Sequence, residues 1–253
     1  VISNAVSSLF LLYKLIKSDT YINVNLKKLK FDSTSLKRIV GIGLPSGIQS
    51  AIFSAANIFI QSVINSLGTV AMAGSSAAFN IELIAYYVLN SFSQACTTFV
   101  GQNFGAGKLD RCKRTLILCL VEDAIVSGIV SILILIFGKF LLSLFNDNPA
   151  AISIGYTRLT LILIAYIFSM LYEVMSGYLR GFGISLAPAL LATVGVCGVR
   201  ILWVNTAFPI SPTFRTIMMA YPLSLSATAL LLFAALIFYR PSRRFAKKIK
   251  PTS

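Results

Sequence analysis

Four carboxylates sit within or beside long apolar runs: Glu82, Glu122, Asp123 and Glu173. A carboxylate at membrane depth either pairs with a cation or takes up a proton. Polar residues accompany the first of them at helical spacing. In GLPSGIQSAIFSAANIFIQSVINSLG, residues Ser50, Ser54, Asn57, Gln61 and Asn65 recur every three or four positions and so share one helix face. The next run repeats the device with Glu82, Tyr86, Asn90, Gln94 and Thr98. Amides facing lipid would lack partners, so both faces are expected to turn toward protein or a water-filled cavity, and toward a common space. Helix–helix adhesion uses the same residue types, but ten polar side chains on two faces, one of them an acid, favour a cavity. Glu82 lies ten residues into its run, about 15 Å along a helix, and is the leading candidate for an ion-carrying group. Glu122 and Asp123 are adjacent, about 100° apart around a helix, and cannot share a face. At least one of them suits a structural place near the cytoplasmic headgroups. Glu173 precedes Arg180 by seven residues, about 10 Å along a helix, and reads equally as a pathway or a pairing group.

The elements that carry these residues are membrane helices. Mean hydropathy is +0.83, and 57% of the 253 residues are hydrophobic while only 12% are charged, against about 25% charged in a soluble domain. Six candidate spanning segments run over 39–65, 72–101, 116–137, 152–178, 186–207 and 217–239. Each reaches the roughly 20 residues that a hydrocarbon core requires, and none shows the period-two rhythm of a barrel strand. The expected fold is therefore an all-α membrane protein built on a six-transmembrane-helix bundle.

Charge orients the bundle. With six alternating crossings, 18 of the 22 lysines and arginines fall on one side, in the segment before the first crossing, around 108–114, at Arg180 and in the tail. This is a positive-inside pattern, which places both termini in the cytoplasm. It also absorbs the net charge of +14 without nucleic acid as a partner. Lys139, Arg158, Arg200 and Arg215 are left to the other loops or outer helix ends. The tail RPSRRFAKKIKPTS reads as a solvated stop signal, with contact to anionic headgroups as the alternative. Cysteines 96, 112, 119 and 197 show no paired spacing and there is no His, so a disulfide framework and a zinc site are not expected. Val1 begins an apolar run, VISNAVSSLFLLYKLIK, that lacks a signal-peptide pattern. It reads as the last turns of a preceding helix or as a short amphipathic lead-in. Pro45 is either a first-turn proline or a kink. FVGQNFGAGKLDRCKRT lacks the GK[ST] ending of a P-loop. Gly101, Gly105 and Gly107 in it suit close packing and a tight return at the inner face.

The strings GLPSGIQS (43–50), AAFNIE (77–82), VGQNFGAGKLDRCKR (100–114), GYLRGFG (177–183) and CGVRILWV (197–204), taken in order, resemble the multidrug and toxin extrusion (MATE) family, bacterial branch. The resemblance covers the chain after about residue 36. It implies a twelve-helix, two-lobe transporter that exchanges an organic, often cationic, small molecule for H+ or Na+ by alternating access, with no bound cofactor. The chain is similar to the C-terminal lobe alone, so an N-terminal lobe is missing. The implied organisation is the end of a preceding helix at 1–16, an inter-lobe cytoplasmic linker at 17–38, the lobe at 39–239 and a basic tail at 240–253. The implied location is the cell inner (plasma) membrane. In one branch of the family an acid eight residues after the helix-seven proline takes part in cation binding; here that position is Phe53. Glu82 matches the NIE string and is the best remaining acid. The RGxG string places Arg180, Gly181 and Gly183 at an inner helix end. A related lipid or other small-molecule exporter and a non-transporting structural subunit remain alternative readings. An intramembrane enzyme is disfavoured by the lack of His and of a clustered acid motif.

Overall fold

The computed structural model describes residues 2–18 and 30–242, apart from the side chains of Arg38 and Ile42. Most of the expected linker and tail, with Lys27, Lys28, Arg243, Arg244, Lys247, Lys248 and Lys250, lies outside the described residues. A first unit ends at Val40 and a second begins at Gly41. The first holds α1 (Ile2–Ile16), apolar but shorter than a span, and the start of α2 (Ser33–Asn65). Asp32 opens α2 by accepting the Ser35 amide at 2.9 Å and the Thr34 amide at 3.3 Å, the side-chain service a helix N-terminus needs. The helix therefore starts ahead of the expected residue 39, and Pro45 is interior to it rather than in its first turn.

Beyond Gly41, α2 is followed by α3 (Thr69–Gly105), α4 (Leu109–Ser143), α5 (Pro149–Gly181), a broken segment and α8 (Phe214–Tyr239). The broken segment runs α6 (Leu186–Ala192), a π-helical stretch Thr193–Gly198 and α7 (Val199–Ala207). Short connections make neighbours in sequence antiparallel. Local chemistry sets these breaks: Asn148 accepts the Ala150 amide ahead of Pro149, Thr213 accepts the Thr216 amide at 3.2 Å, and Gly107 and Gly183 take φ of 72° and 79° after α3 and α5. Positive φ carries no Cβ penalty only for glycine.

Among the described residues five of the six expected segments are, by length and composition, apolar enough to cross a membrane. The exception is α3, at 37 residues the longest. Its length suffices, but Glu82, Asn90, Gln94 and their neighbours lower its apolarity. On α4 the opposite holds. Ile117, Val121, Ile125, Ile129, Ile132, Ile136 and Phe140 form one exposed apolar stripe at three- and four-residue steps, a face suited to lipid.

The core lies along α5, which packs on α3, α4 and α8. Small residues let α3 and α5 approach: a Cβ on Gly155 would lie 2.8 Å from the Gly74 carbonyl oxygen, one on Gly177 2.5 Å from that of Ser93, and one on Gly181 2.7 Å from Val100. Close backbone approach at small residues is the usual adhesive between membrane helices. Two of the sequence strings meet here, with Gly101 beside the Gly181 carbonyl and the Phe104 and Phe182 rings 5.0 Å apart. Gly105 has open space around its Cα. α2 adds Phe53, Ala56, Ile60 and Ile64 to clusters formed with α5 and α8.

Candidate functional site

Glu82 is buried on α3 and meets Arg158 of α5. Arg158 Nε donates to Glu82 Oε2 at 3.0 Å and Nη2 donates to Oε1 at 2.6 Å. Nη1 donates to Ser75 Oγ, two turns earlier on α3, at 2.8 Å. The two side chains are only 6% and 3% exposed. This two-point arrangement matches the planar fork of guanidinium to a carboxylate and is the strongest form of ion pair. The Gly74–Gly155 contact, near Ser75 and Arg158, brings α3 and α5 close enough for it.

The pair abuts a cavity of about 300 Å³ lined by Ser50, Phe53, Ser54 and Asn57 of α2, Phe79, Glu82, Leu83 and Tyr86 of α3, and residues of α5, the π-helical stretch, α7 and α8. That volume is at the lower end of small-molecule sites, about 300–1,000 Å³. Aromatic rings dominate its walls, with Tyr166, Tyr172 and Tyr221 joining Phe53, Phe79 and Tyr86. Tyr221 lies between two guanidiniums: Arg158 Cζ is 5.8 Å and Arg200 Cζ 4.1 Å from its ring centroid.

Arg158 and Arg200 were expected in outer loops or at helix ends. Both instead lie inside helices, at 2% and 7% exposure. Burial is tolerable for Arg158 because Glu82 neutralises it, and for Arg200 because Ser224 Oγ accepts from Nε at 3.0 Å, Asn57 Oδ1 from Nη1 at 3.4 Å, and Tyr221 offers its ring face. One signal pointed to them: each interrupts an apolar run, and a basic residue at membrane depth asks the same question as an acid there.

The two polar faces meet only in part. Ser50, Ser54 and Asn57 share the cavity with Glu82 and Tyr86. Gln61 and Asn65 bond each other at 2.9 Å on α2, and Gln94 reaches Asn90 at 3.5 Å on α3; none of the four lines the cavity, although Asn90 also bonds Tyr86 of its wall. Glu173 is a pairing group that also touches the wall: Arg180 Nη2 stands 3.6 Å from its Oε2, and the cavity residue Tyr172 donates to its Oε1 at 3.0 Å. Arg180 Nη2 also donates to Ser93 Oγ at 3.2 Å, tying α5 to α3. The adjacent acids of α4 part as helix geometry requires. Glu122 is exposed, while Asp123 is fully buried and accepts from Ser127 Oγ at 2.5 Å.

The probable multidrug resistance protein YoeA of Bacillus subtilis (strain 168) is 24% identical to this chain over 226 residues, 88% of this chain and 48% of that protein. The probable multidrug resistance protein NorM of Thermotoga maritima is 25% identical over 168 residues, 66% of this chain and 36% of its own length. The chain thus spans about half, or less, of the length of these relatives. In fold it is similar to the crystal structure of MATE in complex with MaL6, with a TM-score of 0.85 at 19% identity, covering 96% of this chain and 56% of the other. The all-α, multi-spanning bundle therefore matches roughly half of a larger MATE fold. Residues 45–204, more than half of the chain, match the MatE family, and the chain belongs to that family.

Proposed function

We propose that this chain is the C-terminal half of a secondary active antiporter of the plasma membrane that exports drugs and organic cations in exchange for H+ or Na+. One observation carries the reading: Glu82, held by Arg158 in a buried, two-point ion pair, lines an aromatic-walled cavity among membrane-length helices. Charges at that depth mark ion pathways in membrane proteins. The names of the relatives, and the chain's share of their length, support drug export by a molecule with a second, N-terminal lobe facing this one. The six long helical segments, α3 included, form the lobe over 39–239, with 1–16 the end of a preceding helix, 17–38 the linker and 240–253 a basic tail. The distribution of basic residues supports cytoplasmic ends.

In this reading the coupling ion and Arg158 compete for the same two carboxylate oxygens. A proton or Na+ on Glu82 releases Arg158 Nε and Nη2, and the freed guanidinium turns toward its remaining neighbours Ser75, Phe79 and Tyr221. Since Tyr221 also contacts Arg200, ion occupancy at α3 reaches α7 and α8 through packed groups. Asn57 and Tyr86 flank the substrate. Gln61 and Asn65 continue the α2 face toward one mouth, and Asn90 and Gln94 continue the α3 face toward the other. Glu173 acts through Tyr172, while Gly101, Gly105, Gly107, Gly181 and Gly183, with Pro45, serve packing and turns. Ion gradient-driven dye transport in proteoliposomes tests the proposal. The complete transporter containing this chain moves dye and its Glu82→Gln variant does not, while this chain alone is silent. Undiminished gradient-driven transport by Glu82→Gln refutes the coupling role, and transport by the isolated chain refutes the half-transporter reading.

A further inference from the structure

Four basic residues fall on the side of the bundle opposite most of the positive charge: Lys139, Arg158, Arg200 and Arg215. Arg158 and Arg200 are buried and matched by partners between the helices. Lys139 and Arg215 are exposed. Among the described residues neither has a carboxylate within 4.0 Å, and Asp147, the one acid in the three connections on that side, pairs with neither. The charge rule that orients the bundle gives these two cations no topological role.

Both border one groove. It holds about 500 Å³ between the start of α8, with Phe214 and Arg215, and the facing turns of α5, with Tyr156, Thr157, Thr160 and Leu161. Tyr156 is seated on α4, where a Cβ on Gly138 would lie 3.2 Å from its ring. The next residue, Lys139, holds its Nζ 5.5 Å from the centroid of that ring. The hydroxyls of the groove already donate to carbonyl oxygens: Thr157 to Ser153 at 3.0 Å, Thr160 to Tyr156 at 2.9 Å and Tyr156 to Leu135 at 3.3 Å. With their protons so engaged they can accept but not donate, so recognition of an anion falls to Arg215 and Lys139. Leu161 and Phe214 belong to one apolar cluster and give the groove a hydrocarbon floor.

Depth suits a lipid. α5 has 33 residues, about 50 Å of helix against a hydrocarbon core of about 30 Å, so about 10 Å projects at each end of a centred helix. Thr157 stands eight residues after Pro149, about 12 Å along the axis. The groove therefore lies where headgroups meet acyl chains.

We infer that this groove is a binding site for an anionic phospholipid, its phosphodiester held by the Arg215 fork and by Lys139 and its glycerol end resting on Leu161 and Phe214. Guanidinium matches phosphate oxygens in a two-point arrangement, and basic pockets between membrane helices take anionic headgroups. A zwitterionic lipid brings its own ammonium toward the same two cations and gains less. The site is separate from the cavity at Glu82 and does not depend on the antiport reading. Its assignment to the outer leaflet follows the charge-based orientation.

Trp203 is the one tryptophan of the chain and reports on the groove, because its Nε1 donates at 2.8 Å to the carbonyl of Thr216, the neighbour of Arg215. The purified chain is placed in phosphatidylcholine nanodiscs that carry a minor, equal fraction of either phosphatidylglycerol or phosphatidylcholine brominated in its acyl chains, and bromine near the indole quenches its fluorescence. The brominated phosphatidylglycerol quenches as though enriched about fivefold or more over the brominated phosphatidylcholine, the scale of one Lys or Arg at a membrane surface. Arg215→Gln and Lys139→Gln each lower the enrichment and the double variant abolishes it, while Arg215→Lys keeps part of it. Thr157→Phe fills the groove and keeps both charges; it lowers the enrichment as well, and an unchanged value assigns the preference to diffuse surface charge and overturns the site. Quenching by brominated phosphatidylcholine, unchanged throughout, is the check on folding. Where Arg215→Gln alters that quenching, Lys139→Gln decides: a lowered enrichment supports the site and an unchanged one overturns it. Equal quenching by the two lipids in the parent, an enrichment that survives the double variant, or its loss on adding excess inorganic phosphate, the mark of a free-anion site, also overturns the inference. The leaflet assignment fails separately, when an impermeant maleimide labels Ala106→Cys from outside the cell and the lipid preference persists.

Discussion

Replacing Glu82 by alanine leaves Arg158 buried with one hydroxyl partner, Ser75, in place of a two-point carboxylate. A guanidinium cannot shed its charge to escape. With both side chains below 10% exposure, the stranded charge costs about 3–5 kcal/mol, the range seen when one member of a buried pair is removed. Removing both, as Glu82→Met with Arg158→Met, leaves no stranded charge and returns close to the stability of the parent. The coupling term of the cycle, closed with Glu82→Met and Arg158→Met as its single variants, is therefore about 3 kcal/mol or more. At about 2–4 °C per kcal/mol for a unit of 150–250 residues, the single change lowers Tm by roughly 10 °C. The assay is built in, since Cys96, Cys112, Cys119 and Cys197 are free and buried. A thiol-reactive fluorophore in detergent reports their exposure on heating. A single variant that loses less than about 1 kcal/mol, or a double variant no more stable than Glu82→Ala, refutes the claim that pairing is what makes these charges tolerable.

Two further outcomes come from packing and from charge. Gly177→Val places a Cβ 2.5 Å from the Ser93 carbonyl oxygen, so α3 and α5 must separate; overpacking of this kind costs about 1–3 kcal/mol or more, read as a lower Tm in the same assay, and an unchanged Tm contradicts the close approach. With single cysteines placed at Ala106, between α3 and α4, and at Asn146, between α4 and α5, an impermeant maleimide added outside intact cells labels Asn146→Cys and not Ala106→Cys; the reverse pattern contradicts the charge-based orientation.

Much of the scaffold was legible because spans obey one-dimensional rules. Runs of apolar residues and the charges between them located every long helix, with ends that fall within about seven residues of those observed. The start of α2 was missed because Asp32 caps it within a stretch read as linker. The polarity that drew attention to Glu82 is also what keeps α3 from qualifying as an apolar span. What a single sequence did not convey is partnership across distance. Glu82 and Arg158 are separated by 76 positions, and only the glycine-mediated approach of α3 and α5 joins them. Arg158 and Arg200 were read as topology markers, although an arginine inside an apolar run is as costly as an acid and calls for a partner. The polar stripes divided for a related reason. Gln61 bonds Asn65, and Gln94 bonds Asn90, each pair four residues apart on one helix, and none of the four lines the cavity.

The central claim is that Glu82 couples ion movement to substrate movement while the cavity holds the substrate. Counterflow separates the two, because exchange of labelled for unlabelled substrate at equal concentrations requires the cavity but no ion gradient. In proteoliposomes bearing the complete transporter, Glu82→Gln is expected to keep counterflow and to lose all acceleration by an imposed H+ or Na+ gradient. Gradient-driven transport equal to that of the parent, with counterflow intact, contradicts the account.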